Sequence, residues 1–125
     1  MDVTPIIPGD RQVIDSYWPG HFRVSGQVHG GPIIVFPDRT VGWSVTDVSG
    51  LDAEAFRPLA GGDVEVLLLG CGSKIAFLPP SLRRALKEEM GVHVDSMDTG
   101  AACRTYNVLL AEGRRVAAAL IPTVD

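Results

Sequence analysis

The chain has 125 residues and a mass of 13.3 kDa, enough for one hydrophobic core and too little for two. Hydrophobic residues at 46% and charged residues at 21% match ordinary globular usage, so a domain of this size needs no disulfide or metal staple. Lys and Arg number 11 against 15 Asp and Glu, a net charge of −4 that disfavours nucleic acid or an anionic membrane surface as the general partner.

Residues 1–11, with Pro5, Pro8 and Gly9, read as an irregular arm, and 12–125 as one domain. Between 12 and 45 the pattern is β. Gly26 separates two short runs, Gly30-Gly31-Pro32 marks a turn, and apolar strands follow at 33–36 and 40–45, together suggesting an antiparallel meander. Leu51, Ala55, Phe56 and Leu59 have helical spacing. The run 64–70 has the composition of a strand buried on both faces. A helix is predicted over 80–90, opened by Pro80, striped by Leu82, Leu86 and Met90, and stopped by Gly91. A strand at 92–94, a helix over 101–112 with Tyr106, Leu109 and Leu110 inward, and a last strand at 115–121 complete the chain. Helical connections of this length favour parallel strands, so the fold class is α/β with a β-rich N-terminal part.

Compartment follows from weaker signals. Cys71 and Cys103 are too few for a secreted disulfide framework. Met1-Asp2-Val3-Thr4-Pro5 lacks the order of a signal peptide, and no apolar run approaches the roughly 20 residues that span a bilayer. The expectation is a cytoplasmic protein with at most peripheral membrane association.

Ligands of open α/β sheets gather beyond the carboxyl ends of the strands. Two segments are predicted there: Gly70-Cys71-Gly72-Ser73-Lys74, and Asp98-Thr99-Gly100-Ala101-Ala102-Cys103-Arg104. Their small residues allow close backbone approach, and each leads toward a helix N-terminus, so together they form a candidate crevice for an anion or a partner. Lys74 and Arg104 would add charge, and Asn107 a polar group. Known nucleotide motifs are incomplete: Ile75 stands where a third glycine would be, and no Gly-Lys-Ser/Thr ending is present. Asp98-Thr99-Gly100 occurs once, whereas aspartic proteases need paired carboxylates, so it reads as a helix cap. Cys103 is either a thiolate activated by a helix start and Arg104, or a small core residue. A redox pair with Cys71 would need Cα atoms within about 7 Å. Arg104 either pairs with Asp98 or binds an anionic ligand. No zinc spacing is present, and no cofactor is implied.

The stretch from Met97 to Arg114, followed by Val116-Ala117-Ala118-Ala119-Leu120-Ile121, resembles the small-domain family that contains the mitochondrial respiratory complex I assembly factor 3. The Gly26–Pro32 turn, Trp43, Leu69-Gly70-Cys71-Gly72 and Pro79-Pro80 agree with it, so the resemblance spans roughly 14 to 122. It implies a three-layer single domain, helices packed on a mixed sheet, and brings no catalytic residues to transfer. Family members often carry threonine where this chain has Cys71, so chemistry that needs this thiol would not be general. The expectation is a non-enzymatic protein-binding or assembly domain, with respiratory-chain subunits or assembly factors as partners and a homodimer as one way to cover a sheet edge. The alternative is a small-ligand binder or enzyme that uses the crevice.

Overall fold

Alternating side chains and tight turns build the first three strands of the computed structural model, which describes residues 9–49 and 51–124. β1 (Ile14–Trp18), β2 (His21–Val24) and β3 (Gln27–Gly30) make a small antiparallel sheet in that order. Phe22 and Val24 point into the core while His21 and Arg23 stay exposed, the period of two that a half-buried strand requires. Most of the predicted arm lies outside the described residues.

The main sheet has five strands. β4 (Ile33–Val35), β5 (Thr40–Gly42), β6 (Val66–Cys71), β7 (His93–Met97) and β8 (Val116–Ile121) run in the order β5-β4-β8-β6-β7. β6 pairs in parallel with β7 and β8, and β4 pairs antiparallel with β5 and β8, so the sheet is mixed. The central strand β8 is buried at every position, which its Val-Ala-Ala-Ala-Leu-Ile sequence permits on both faces. The predicted N-terminal meander is therefore divided: three strands stand apart, and two join the main sheet beside a strand some 80 residues downstream. The strand expected over 40–45 ends at Gly42. Beyond it Trp43 turns into the core, where its indole N–H donates to the Ala55 carbonyl at 2.8 Å.

Helices cover both faces. α2 (Thr99–Ala111) and the small sheet enclose one layer, with Phe22, Val35, Leu68, Tyr106 and Leu120 among its buried members. α1 (Pro80–Met90) and a 3-10 helix (Ala53–Leu59) enclose the other, with Phe56, Leu67, Leu86, Val94 and Ala117. The result is a three-layer α/β domain. Pro58 lies inside the 3-10 segment, and its missing N–H prevents the regular helix that the apolar spacing suggests. Among the described residues no helix is long and apolar enough to cross a membrane.

Candidate functional site

The loop after β6 is shaped by close approach. A Cβ on Gly70 would lie 2.9 Å from Leu120 Cδ2, 3.1 Å from Thr99 Oγ1 and 3.2 Å from Thr99 Cα, so only glycine lets α2 begin this near the sheet. Cys71 closes the loop locally, its thiol 3.3 Å from the Ala76 carbonyl and 3.6 Å from that of Leu69. Lys74 lies beyond, exposed and without an ion pair among the described residues.

The loop after β7 is shorter than its sequence suggests. Asp98 is the N-cap, its carboxylate accepting the Ala101 N–H at 2.9 Å, so α2 begins at Thr99 and not at 101. Thr99 is fully buried. Its N–H donates to the Gly72 carbonyl at 2.9 Å, and its hydroxyl accepts the Gly72 N–H at 2.8 Å. The same hydroxyl donates to the Ile121 carbonyl at 2.5 Å. One side chain thereby joins the carboxyl ends of β6 and β8 to the start of α2. The two loops emerge side by side, and Thr99 occupies the space directly between them.

Because α2 starts two residues early, Cys103 and Arg104 fall in its second turn. The helix dipole acts mainly within the first turn, so neither its activating effect on Cys103 nor its repulsion of Arg104 is large there. Burial dominates at Cys103: it pushes the thiol up to about 12, against a smaller opposing pull from Arg104. Burial also raises Cys71. The two thiols are free and pack into different layers, Cys103 under α2 and Cys71 against the α1 side, so they do not form a redox pair. Arg104 makes no ion pair with Asp98 or any other described residue. Its Nη1 lies 3.3 Å from where a Gly100 Cβ would stand, and the Tyr17 hydroxyl closes over the same glycine.

Asn107 serves the scaffold. Its amide accepts the Ile14 N–H at 3.0 Å and donates to the Ile14 carbonyl at 2.8 Å, clamping β1 to α2. The predicted set thus separates into buried joinery (Gly70, Gly72, Thr99, Gly100, Cys103), two half-buried residues (Cys71 and the clamp Asn107) and exposed groups (Lys74, Asp98, Arg104). Sequence reasoning missed Tyr17, which reaches the rim from β1, because no local pattern links it to residue 100. It also missed the exposed apolar pair Ile75 and Phe77 beside Lys74, of which Phe77 is 72% exposed. Among the described residues no group of three His, Cys, Asp or Glu is placed to hold a metal ion.

Residues 14–121, the whole span from β1 to β8, match the family described as a protein of unknown function (DUF498/DUF598). The chain belongs to that family. Its relatives include an uncharacterized protein of Rhodobacter capsulatus, 47% identical over 109 residues, a match covering 87% of this chain and 83% of that one. The family also reaches the Danio rerio NADH dehydrogenase [ubiquinone] 1 alpha subcomplex assembly factor 3, which is 38% identical over 112 residues. That match covers 88% of this chain but only 64% of the factor, so the shared domain is part of a longer protein there. A crystal structure of a protein from Bordetella parapertussis superimposes with a TM-score of 0.81 at 36% identity, covering 90% of this chain and 96% of that one. The Thr99 junction lies inside the matched span, so the joined loops belong to the family domain and not to an appended segment.

Proposed function

We propose that this chain is a protein-binding assembly domain without covalent chemistry of its own, acting in the biogenesis of a respiratory NADH dehydrogenase at the cytoplasmic face of the membrane. The observation that carries this reading is the 38% identity to an assembly factor for that enzyme across 88% of the chain. The chemistry of the rim supports it. Three groups that could act as nucleophile or base are engaged: the Thr99 hydroxyl is bonded on both sides, Asp98 caps α2, and the Cys103 thiol is held protonated. Beside the exposed Asp98 cap, the rim offers apolar and cationic groups to solvent. Ile75 and Phe77 project beside Lys74, and Arg104 is exposed on α2. Exposed aromatic and arginine groups are the residue types that anchor protein interfaces.

Affinity purification of the tagged chain from native membranes tests the reading. Subunits of the NADH dehydrogenase should co-purify with the wild-type chain. They should be depleted about tenfold with a Phe77→Ala, Arg104→Glu variant whose melting temperature is unchanged. Recovery of no such subunit under conditions that preserve the assembled enzyme would remove the proposal.

A further inference from the structure

The opposite rim of the sheet, at the amino ends of β6 and β8, carries an open cavity of about 590 Å3. Sites for small ligands occupy about 300–1,000 Å3. One wall is the turn between β4 and β5, the second is the chain leaving α2, and the floor is the approach to β6. Four guanidinium groups line it: Arg11, Arg39, Arg114 and Arg115. Carboxylates offset three of them. Arg114 pairs with Glu65 at 3.2 Å, Arg115 with Asp63 at 2.6 Å and Glu65 at 3.5 Å, and Arg39 with Asp38 at 3.1 Å. Arg11 has no ion pair among the described residues. Its neighbour Gln12 fixes it beside the turn, the Gln12 N–H donating to Pro37 O at 2.9 Å and its side-chain oxygen accepting the Thr40 hydroxyl at 2.7 Å. In a chain of net charge −4 this cavity therefore carries one surplus positive charge.

Arg39 is also oriented. Its guanidinium lies 3.9 Å above the Phe36 ring centroid, so the aromatic face holds the plane of the fork. Its tie to Asp38 is exposed on both sides, the kind of pair worth at most about 1 kcal/mol, and an incoming carboxylate can take its place. Val64, Leu110 and Ala111 supply apolar surface nearby. We propose that this cavity binds a small organic monoanion, a carboxylate on an apolar body, with the charge held by Arg39 and Arg11. A single negative charge matches the surplus. A multiply charged anion would meet Asp38, Asp63 and the negative end of α2.

Titration of the full chain, followed by backbone amide NMR, with phenylacetate, citrate and inorganic phosphate tests this inference. Phenylacetate should give saturable shifts at 36–39, 62–64 and 110–115, with a Kd about tenfold lower than that of citrate or phosphate. Arg39→Gln should weaken phenylacetate about tenfold, and Arg39→Lys, which keeps the charge but loses the planar fork, should recover only part of it. Unchanged amide shifts elsewhere verify that both variants fold. No saturable shift at tens of millimolar, citrate or phosphate binding as tightly, or shifts centred on 70–74 and 98–104 would overturn it. Such a failure leaves the assembly reading untouched, because that reading uses the other rim.

Discussion

Thr99 is the side chain on which the carboxyl rim depends. Its hydroxyl serves the Gly72 N–H and the Ile121 carbonyl where water does not reach. Thr99→Val keeps the shape and leaves both backbone groups unpaired, so it should cost about 1–3 kcal/mol in denaturant unfolding, while Thr99→Ser should retain most of the stability. Cys103 carries a pH signature. Its thiol ionises near its ordinary 9.0 in the unfolded chain and at about 12 in the fold. Between those values the unfolded state releases a proton that the folded state keeps. Stability should therefore fall as pH rises from 9 to 12, by a few kcal/mol, with no contribution from this group below pH 9. Tyr106, also raised by burial, acts in the same direction above pH 10. Alkaline melts should show this decline, with Cys103→Ala flattening the part between pH 9 and 12. Native Cys103 should react with iodoacetamide at pH 7.5 far more slowly than after unfolding.

The two helices differ in how firmly they are held. α2 buries six residues, Thr99, Gly100, Ala102, Cys103, Tyr106 and Leu110, between the sheets. α1 fully buries only Leu86, has no side-chain N-cap, and ends in a left-handed Gly91 with φ +68°. A Cβ at Gly91 would meet nothing within 4 Å, so Gly91→Ala tests backbone conformation alone and should cost about 1–2 kcal/mol. Amide exchange in α1 should be faster than in α2, since less apolar surface must open to expose it. The helix over 80–90 was legible because proline, a stripe at spacing four and glycine all coincide with its ends. The start of α2 was less so. Asp98-Thr99-Gly100 reads equally as loop or as cap, and only the distance to Gly72 decides that Thr99 is helical. That shift of two residues moved Cys103 and Arg104 out of the first turn and removed the reason to expect an activated thiol or an Asp98–Arg104 pair.

At the scale of the molecule, local pattern revealed the α/β class and the parallel strands, because buried strands and glycine-stopped helices announce themselves within a dozen residues. It could not reveal that β4 pairs with β8, a long-range pairing without a local signature, and so it could not show that the meander divides after β3. For the same reason it directed attention to one rim only. The carboxyl rim is joined by Thr99 and presents Lys74, Ile75, Phe77 and Arg104 outward, while the amino rim holds the arginine-lined cavity. The arginines themselves were visible as Arg114-Arg115 after a helix stop, but their convergence with Arg11 and Arg39 depends on the sheet order.

The most direct test of the assembly reading is the amount of assembled NADH dehydrogenase on native gels of membranes from cells that lack this chain. We predict a fall of several-fold, restored by the wild-type chain and by Cys103→Ala, but not by the Phe77→Ala, Arg104→Glu variant. Full assembly in the complete absence of the chain would contradict it.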